Sequence, residues 1–147
     1  MRNKSKIYIK TPIILICLAL CVSGIRWMIS PEPWLLDKVA NEERLEMSFT
    51  ELFLIEGNST LGLYLTQIYR FLGLYVLGIG VIFLSFTQDK FFQIAAFRKR
   101  FLFVLGLLLF ANLTLALIWI PSSHFIFIML GAIGLFLISF YKNLKES

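Results

Sequence analysis

The chain has 147 residues, 59% of them hydrophobic and 16% aromatic, with a mean hydropathy of +0.81 and a net charge of +5. A soluble domain is about half apolar, so this composition excludes an ordinary water-soluble fold and allows one compact membrane bundle. No Lys/Arg run is interleaved with aromatics on a soluble segment, which argues against nucleic acid as a partner.

Residues 1–10 carry Arg2, Lys4, Lys6 and Lys10 and no acid, and 13–29 are apolar apart from Ser23 and Arg26. A basic start and an apolar middle fit both a retained first helix and a cleaved signal peptide with small residues at Ala19, Cys21 and Ser23. The apolar run continues through Trp27, Met28 and Ile29, which favours the retained helix. Leu20 before Cys21 fits a lipoprotein signal badly. Cys17 and Cys21 share one face of this helix, where a disulfide is geometrically poor, so both read as small apolar side chains.

Pro31 and Pro33 end the first helix, and Trp34 suits an interfacial anchor. The loop over 30–67 holds seven of the nine acids: Glu32, Asp37, Glu42, Glu43, Glu46, Glu51 and Glu56. Leu35, Leu36, Val39, Leu45, Phe49, Leu52 and Phe53 recur at mostly helical spacing. One or two amphipathic helices on the membrane surface are expected, with a break at Gly57 and Asn58. Asn58, Ser59 and Thr60 also match the glycosylation sequon.

The second span is expected over 68–86, projecting beyond the bilayer toward residue 59. Arg70 is its single charge, and Gly73, Gly78 and Gly80 suit close helix packing in lipid. A basic amphipathic connector over 88–100 holds Lys90, Arg98, Lys99 and Arg100 against Asp89. The third span, 101–120, carries Asn112 and Thr114 at mid-membrane, with Asn112 expected to hydrogen-bond across the bundle. A hairpin at Pro121 to His124 leads to the fourth span, 125–141, with Gly131 and Gly134 as further close-approach sites.

Ten of the fourteen Lys/Arg lie in the amino-terminal stretch, the 88–100 connector and the carboxyl tail, four, four and two respectively. Basic residues favour the cytoplasmic side, so both termini are expected inside, with the acidic loop and His124 outside.

Arg26 and Arg70 each fall near the outer end of a span, where an arginine snorkels to the interface. They are expected either to pair with Glu32 and Glu56 or to form, with Glu56 and His124, a cationic pocket for an anionic lipid or other ligand. His124 is the single histidine, so it has no second histidine for a metal site. No span contains an acid, and no phosphate-binding loop, Cys/His cluster or Ser/His/Asp set is evident. Catalysis and ion-coupled transport are therefore not expected.

Three short stretches carry a family resemblance. They are Gly24, Ile25 and Arg26 through Pro31 and Glu32; Tyr69, Arg70 and Gly73 with Gly78 and Gly80; and Arg98, Lys99 and Arg100 before the third span. In these and in its layout the chain resembles the DoxX-like small four-helix bacterial membrane proteins. The likeness covers most of the chain and is architectural; the long acidic loop and Asn112 lie outside it. It implies residence in the inner (plasma) membrane and association with redox or quinone-linked complexes, with quinone or lipid as ligand.

The combined expectation is an all-α, four-transmembrane-helix bundle with an extracytoplasmic amphipathic helical loop between helices 1 and 2. It would act as a non-enzymatic accessory or assembly subunit, with the bilayer and either a second copy or another membrane protein as partner. The alternative is an outer-leaflet lipid- or quinone-binding protein using Arg26, Arg70, Glu56 and His124.

Overall fold

A computed structural model describes residues 2–146, with side chains described from Ile7 to Lys145; those of Arg2, Lys4 and Lys6 lie outside this range. The elements run α1 (Arg2–Ile29), a 3-10 turn (Pro33–Asp37), α2 (Lys38–Leu45), α3 (Phe49–Leu54), α4 (Leu61–Phe86), α5 (Asp89–Phe92), α6 (Ala95–Trp119) and α7 (Phe125–Glu146). Among the described residues there is no strand.

Among the described residues four stretches are long and apolar enough to cross a membrane: Ile7–Ile29, Leu61–Phe86, Ala95–Trp119 and Phe125–Lys145, of 23, 26, 25 and 21 residues. At 1.5 Å per residue the shortest is about 31 Å long, a full hydrocarbon thickness. The chain is an all-α, multi-pass membrane protein. The first turns of α1, the last turns of α7 and α5 lie at one end of the bundle, the terminal end. The 3-10 turn, α2 and α3 form a cap over the other.

α1 is the central helix. It packs along α4 on one side and α7 on the other, and α6 packs on α7. Its helix starts well before residue 13 and runs through Pro12, which withholds one backbone donor from the turn before it. Ile9 and Ile13 on either side are 0% exposed, and Ser139 Oγ donates to Ile9 O at 2.8 Å. Cleavage near residues 21–23 would strip Ile9, Ile13, Ile16 and Cys17 from the core.

That core gathers toward the terminal end. It joins those four residues to Phe83 of α4, Phe92 of α5, Phe101, Leu102, Leu105 and Leu109 of α6, and Ile133 and Phe136 of α7. In lipid an apolar side chain gains nothing by leaving the solvent, so these contacts stabilise through close packing. The same reasoning explains Phe71, Phe103 and Phe127, which lie 64–76% exposed on the helix exteriors and face acyl chains.

The α1–α4 contact depends on missing side chains. A Cβ on Gly24 would lie 2.6 Å from Gly73 O, and one on Gly80 would lie 2.8 Å from Cys21 Sγ. Gly73 and Gly80 thus pack closely on α1. Gly78, Gly131 and Gly134 do not: a Cβ at any of them meets nothing within 4 Å, because each turns away from the bundle.

The cap has its own apolar centre. Trp34, only 5% exposed, stands 5.5 Å from the Phe53 ring and 6.2 Å from Phe49. Trp34 is therefore enclosed by the cap and is no lipid-facing anchor. Glu46 (φ 57) and Gly57 (φ 92) adopt the left-handed conformation that turns the chain after α2 and α3.

Candidate functional site

A polar cluster joins the cap to the α6–α7 hairpin and to α4. Asp37, at the end of the 3-10 turn, supplies both carboxylate oxygens. Oδ2 accepts from Ser123 Oγ, and Oδ1 accepts from His124 Nδ1 at 3.1 Å. A carboxylate cannot donate, so this contact fixes the proton on Nδ1 in the neutral ring. The Asp37 side chain is 11% exposed and that of His124 is 48% exposed. Ser123 is buried, and its Oγ also accepts from the Phe125 N–H at 3.2 Å, closing the start of α7. Beside it, Ser122 donates to Glu43 of α2.

Asn41 makes the second tie. Its amide donates to Trp34 O at 2.9 Å and to the Tyr69 hydroxyl of α4 at 3.2 Å. Trp27 of α1 meets Phe125 of α7 edge to face at 5.5 Å. The cap thus reaches α4 and the α6–α7 hairpin, while an aromatic pair joins α1 to α7 at the same end.

A nucleophilic relay needs a serine on a histidine and that histidine on a carboxylate. Here serine and histidine both bind the carboxylate. The geometry suits a clasp: one acidic group, little exposed, holding two donors from a segment more than eighty residues away.

Within the cap, Ser48 and Glu51 form a reciprocal capping box at α3. The Glu51 N–H reaches Ser48 Oγ at 3.1 Å, and the Ser48 N–H reaches Glu51 Oε2 at 2.8 Å. The Ser48 hydroxyl, then its backbone N–H, holds the Glu51 carboxyl below the usual carboxylate range. Glu42 accepts from the Phe49 N–H at 2.9 Å. Asn58, the sequon asparagine, donates its amide to Leu52 O at 2.8 Å, so the nitrogen a glycan would occupy already holds α3.

The terminal end has a smaller cluster. Arg98 belongs to the expected surface connector but is 3% exposed. Its Nε donates to Asn143 Oδ1 of α7 at 2.5 Å, and its guanidinium donates to Phe92 O of α5 at 3.1 Å. Lys10 of α1 pairs with Asp89 at 2.9 Å. The reason for the burial is register: Arg98 lies four and seven residues before Leu102 and Leu105, on the core face of α6.

The four residues expected to form a pocket are not joined. Arg26, Arg70 and Glu56 are exposed, and no hydrogen bond or ion pair links any of them to another or to His124 among the described residues. Arg26 lies two residues, about 200°, around α1 from the Gly24 face that packs on α4. Among the described residues neither arginine has a carboxylate within ion-pair distance. Only His124 enters the cluster, through Asp37. Asn112 makes no cross-bundle bond; its amide donates at 2.8 Å to Leu108 O of its own helix.

Sequence reasoning missed Asp37, Asn41, Tyr69 and Ser123 as a group, since their partners are remote in the chain. A signal was present at Asp37, an acid set directly after Trp34, Leu35 and Leu36. No group of three or more His, Cys, Asp or Glu suited to a metal occurs among the described residues. No protein-family model, curated protein or solved structure matches the chain.

Proposed function

We infer that this is a small non-enzymatic subunit serving the assembly or support of a membrane complex. Its termini and α5 would face the cytoplasm and its cap the outside. The observation that carries the reading is the use of Asp37: both oxygens are taken up in holding the cap to the hairpin. Rigid docking of an acidic cap suits a surface presented to another protein. Glu32, Glu46 and Glu56 remain exposed on it and suit a basic partner surface. The placement of Lys and Arg supports the orientation, and the DoxX-like layout supports an accessory role in the inner membrane.

The test is affinity purification in mild detergent with native mass spectrometry. The reading predicts a stoichiometric membrane-protein partner that is lost when Glu46 and Glu56 are both changed to Lys. Recovery of the chain without a protein partner would overturn it.

Arg26 and Arg70 favour a second reading. Two exposed arginines near the capped end, with no carboxylate partner, suit the phosphates of lipid headgroups at the interface. Binding of anionic lipid, or of a quinone as DoxX-like proteins would suggest, predicts a co-purifying ligand that is lost on Arg70→Ala. Full retention of the ligand would exclude this site.

A further inference from the structure

Asn112 stands at the edge of the α6 face that packs in the bundle, and the bundle does not cover it. Leu105, Leu109 and Ala116 are 1%, 8% and 6% exposed. They lie seven and three residues before Asn112 and four after it, so all four share one helix face. Yet Asn112 is exposed. The core supplies the reason. Its buried α6 members end at Leu109, with Leu113 partly buried beyond it, and its one buried member from α4 is Phe83, near the terminal end. α4 packs along α1 rather than along α6, which leaves Asn112 uncovered from that side.

The amide is also incompletely bonded. One N–H goes to Leu108 O; the second N–H and the Oδ1 have no partner among the described residues. Near the middle of a span no water is present to take them. Acyl chains offer no donor or acceptor, so whatever covers this face must bring a polar group to this depth.

We propose that Asn112 joins two copies of this chain in the membrane. Copies in one bilayer share one topology, so their Asn112 side chains lie at one depth. A twofold axis along the membrane normal then brings α6 against α6. Each Oδ1 accepts the other copy's free N–H, a self-complementary contact because asparagine carries both donor and acceptor. A different protein would need its own polar group at that depth; a second copy has one by symmetry. The flanking residues fit a helix pair. Leu108, Asn112, Leu115 and Trp119 follow at spacings of four, three and four, the repeat of a left-handed crossing. Leu115 and Trp119 are 42% and 55% exposed. This inference needs the four spans and is independent of the accessory-subunit reading.

The experiment is dimerisation of the full chain in lipid bilayers. Copies labelled with donor and acceptor dyes are diluted with lipid, and energy transfer is followed for wild type, Asn112→Leu and Asn112→Gln. Leucine makes the span more apolar and keeps it inserted; glutamine keeps the amide. The expected result is a wild-type dimer, dissociation at least tenfold easier for Asn112→Leu, and substantial retention for Asn112→Gln. A wild-type monomer at every dilution, or a dimer indifferent to Asn112→Leu, would overturn the proposal. Neither outcome would touch the accessory-subunit reading, which is tested at the cap.

Discussion

Gly24 and Gly73 meet backbone to backbone across the α1–α4 crossing. A Cβ on Gly73 would lie 2.7 Å from Gly24 O, and one on Gly24 would lie 2.6 Å from Gly73 O. A side chain cannot swing aside from a carbonyl held in a helix. Gly24→Ala and Gly73→Ala should each destabilise the bundle by about 1–3 kcal/mol, the usual cost of overpacking. Gly78→Ala and Gly131→Ala, with open space around them, should leave stability unchanged or raise it by up to about 1 kcal/mol through helix propensity. Unfolding in mixed micelles measures both pairs.

Asp37 makes the second prediction. Asp37→Ala strands the Ser123 hydroxyl and the His124 ring at a surface where Ser123 is buried. The loss should be about 1–3 kcal/mol and should appear first in the cap. Limited proteolysis between α2 and α3 should become faster while the four spans stay protected. A double-mutant cycle of Asp37→Ala with Ser123→Ala should show coupling above about 0.5 kcal/mol.

At the terminal end, Asn143→Ala removes the acceptor of the Arg98 Nε–H and leaves a buried charge short of a partner. A hydrogen bond to a charged group contributes about 1.5–3 kcal/mol, and a loss of that order is expected. Arg98→Lys should not restore it, because one ammonium cannot reach both Asn143 and Phe92 O with the geometry of a planar fork. Thermal unfolding in detergent checks both variants.

Glu51 gives a pH dependence with a definite sign. Its carboxyl is held below the usual range in the folded cap. Its contribution is therefore complete above the ordinary carboxylate pKa and is lost as pH falls through the lowered value. Acidification should loosen α3, and Glu51→Gln should remove that part of the response. Trp34 packs against Phe49 at the start of α3, so its fluorescence reports the change in a Trp27→Phe, Trp119→Phe background.

Much of the fold was legible because hydropathy over twenty residues is a strong signal. The four spans follow from it, while the helical cap follows from the spacing of residues such as Leu35, Val39, Phe49 and Phe53 and the break from Gly57 and Asn58. Arg98 was legible too, since it lies four and seven residues before Leu102 and Leu105; reading it with Lys99 and Arg100 as a surface cluster hid that register. Ser48 and Glu51 carry the spacing of a capping box. The centrality of α1 and the Asp37–Ser123 contact were not legible. Periodicity reveals that a helix has a packing face but not which helix will meet it. Glycine in a span likewise permits close approach without naming a neighbour, so Gly73 and Gly80 pack inside the chain while Gly78, Gly131 and Gly134 do not.

The most direct test of the account is which side of the membrane each end faces. Thr50 in the cap and Lys99 at the terminal end are both exposed. Thr50→Cys and Lys99→Cys, each in a Cys17→Ala, Cys21→Ala background, can be labelled with a membrane-impermeant maleimide in intact cells. The account predicts that the cysteine at 50 reacts at once and that the one at 99 reacts only after permeabilisation. The reverse pattern would contradict the orientation, and labelling of both in intact cells would contradict the four-span arrangement itself.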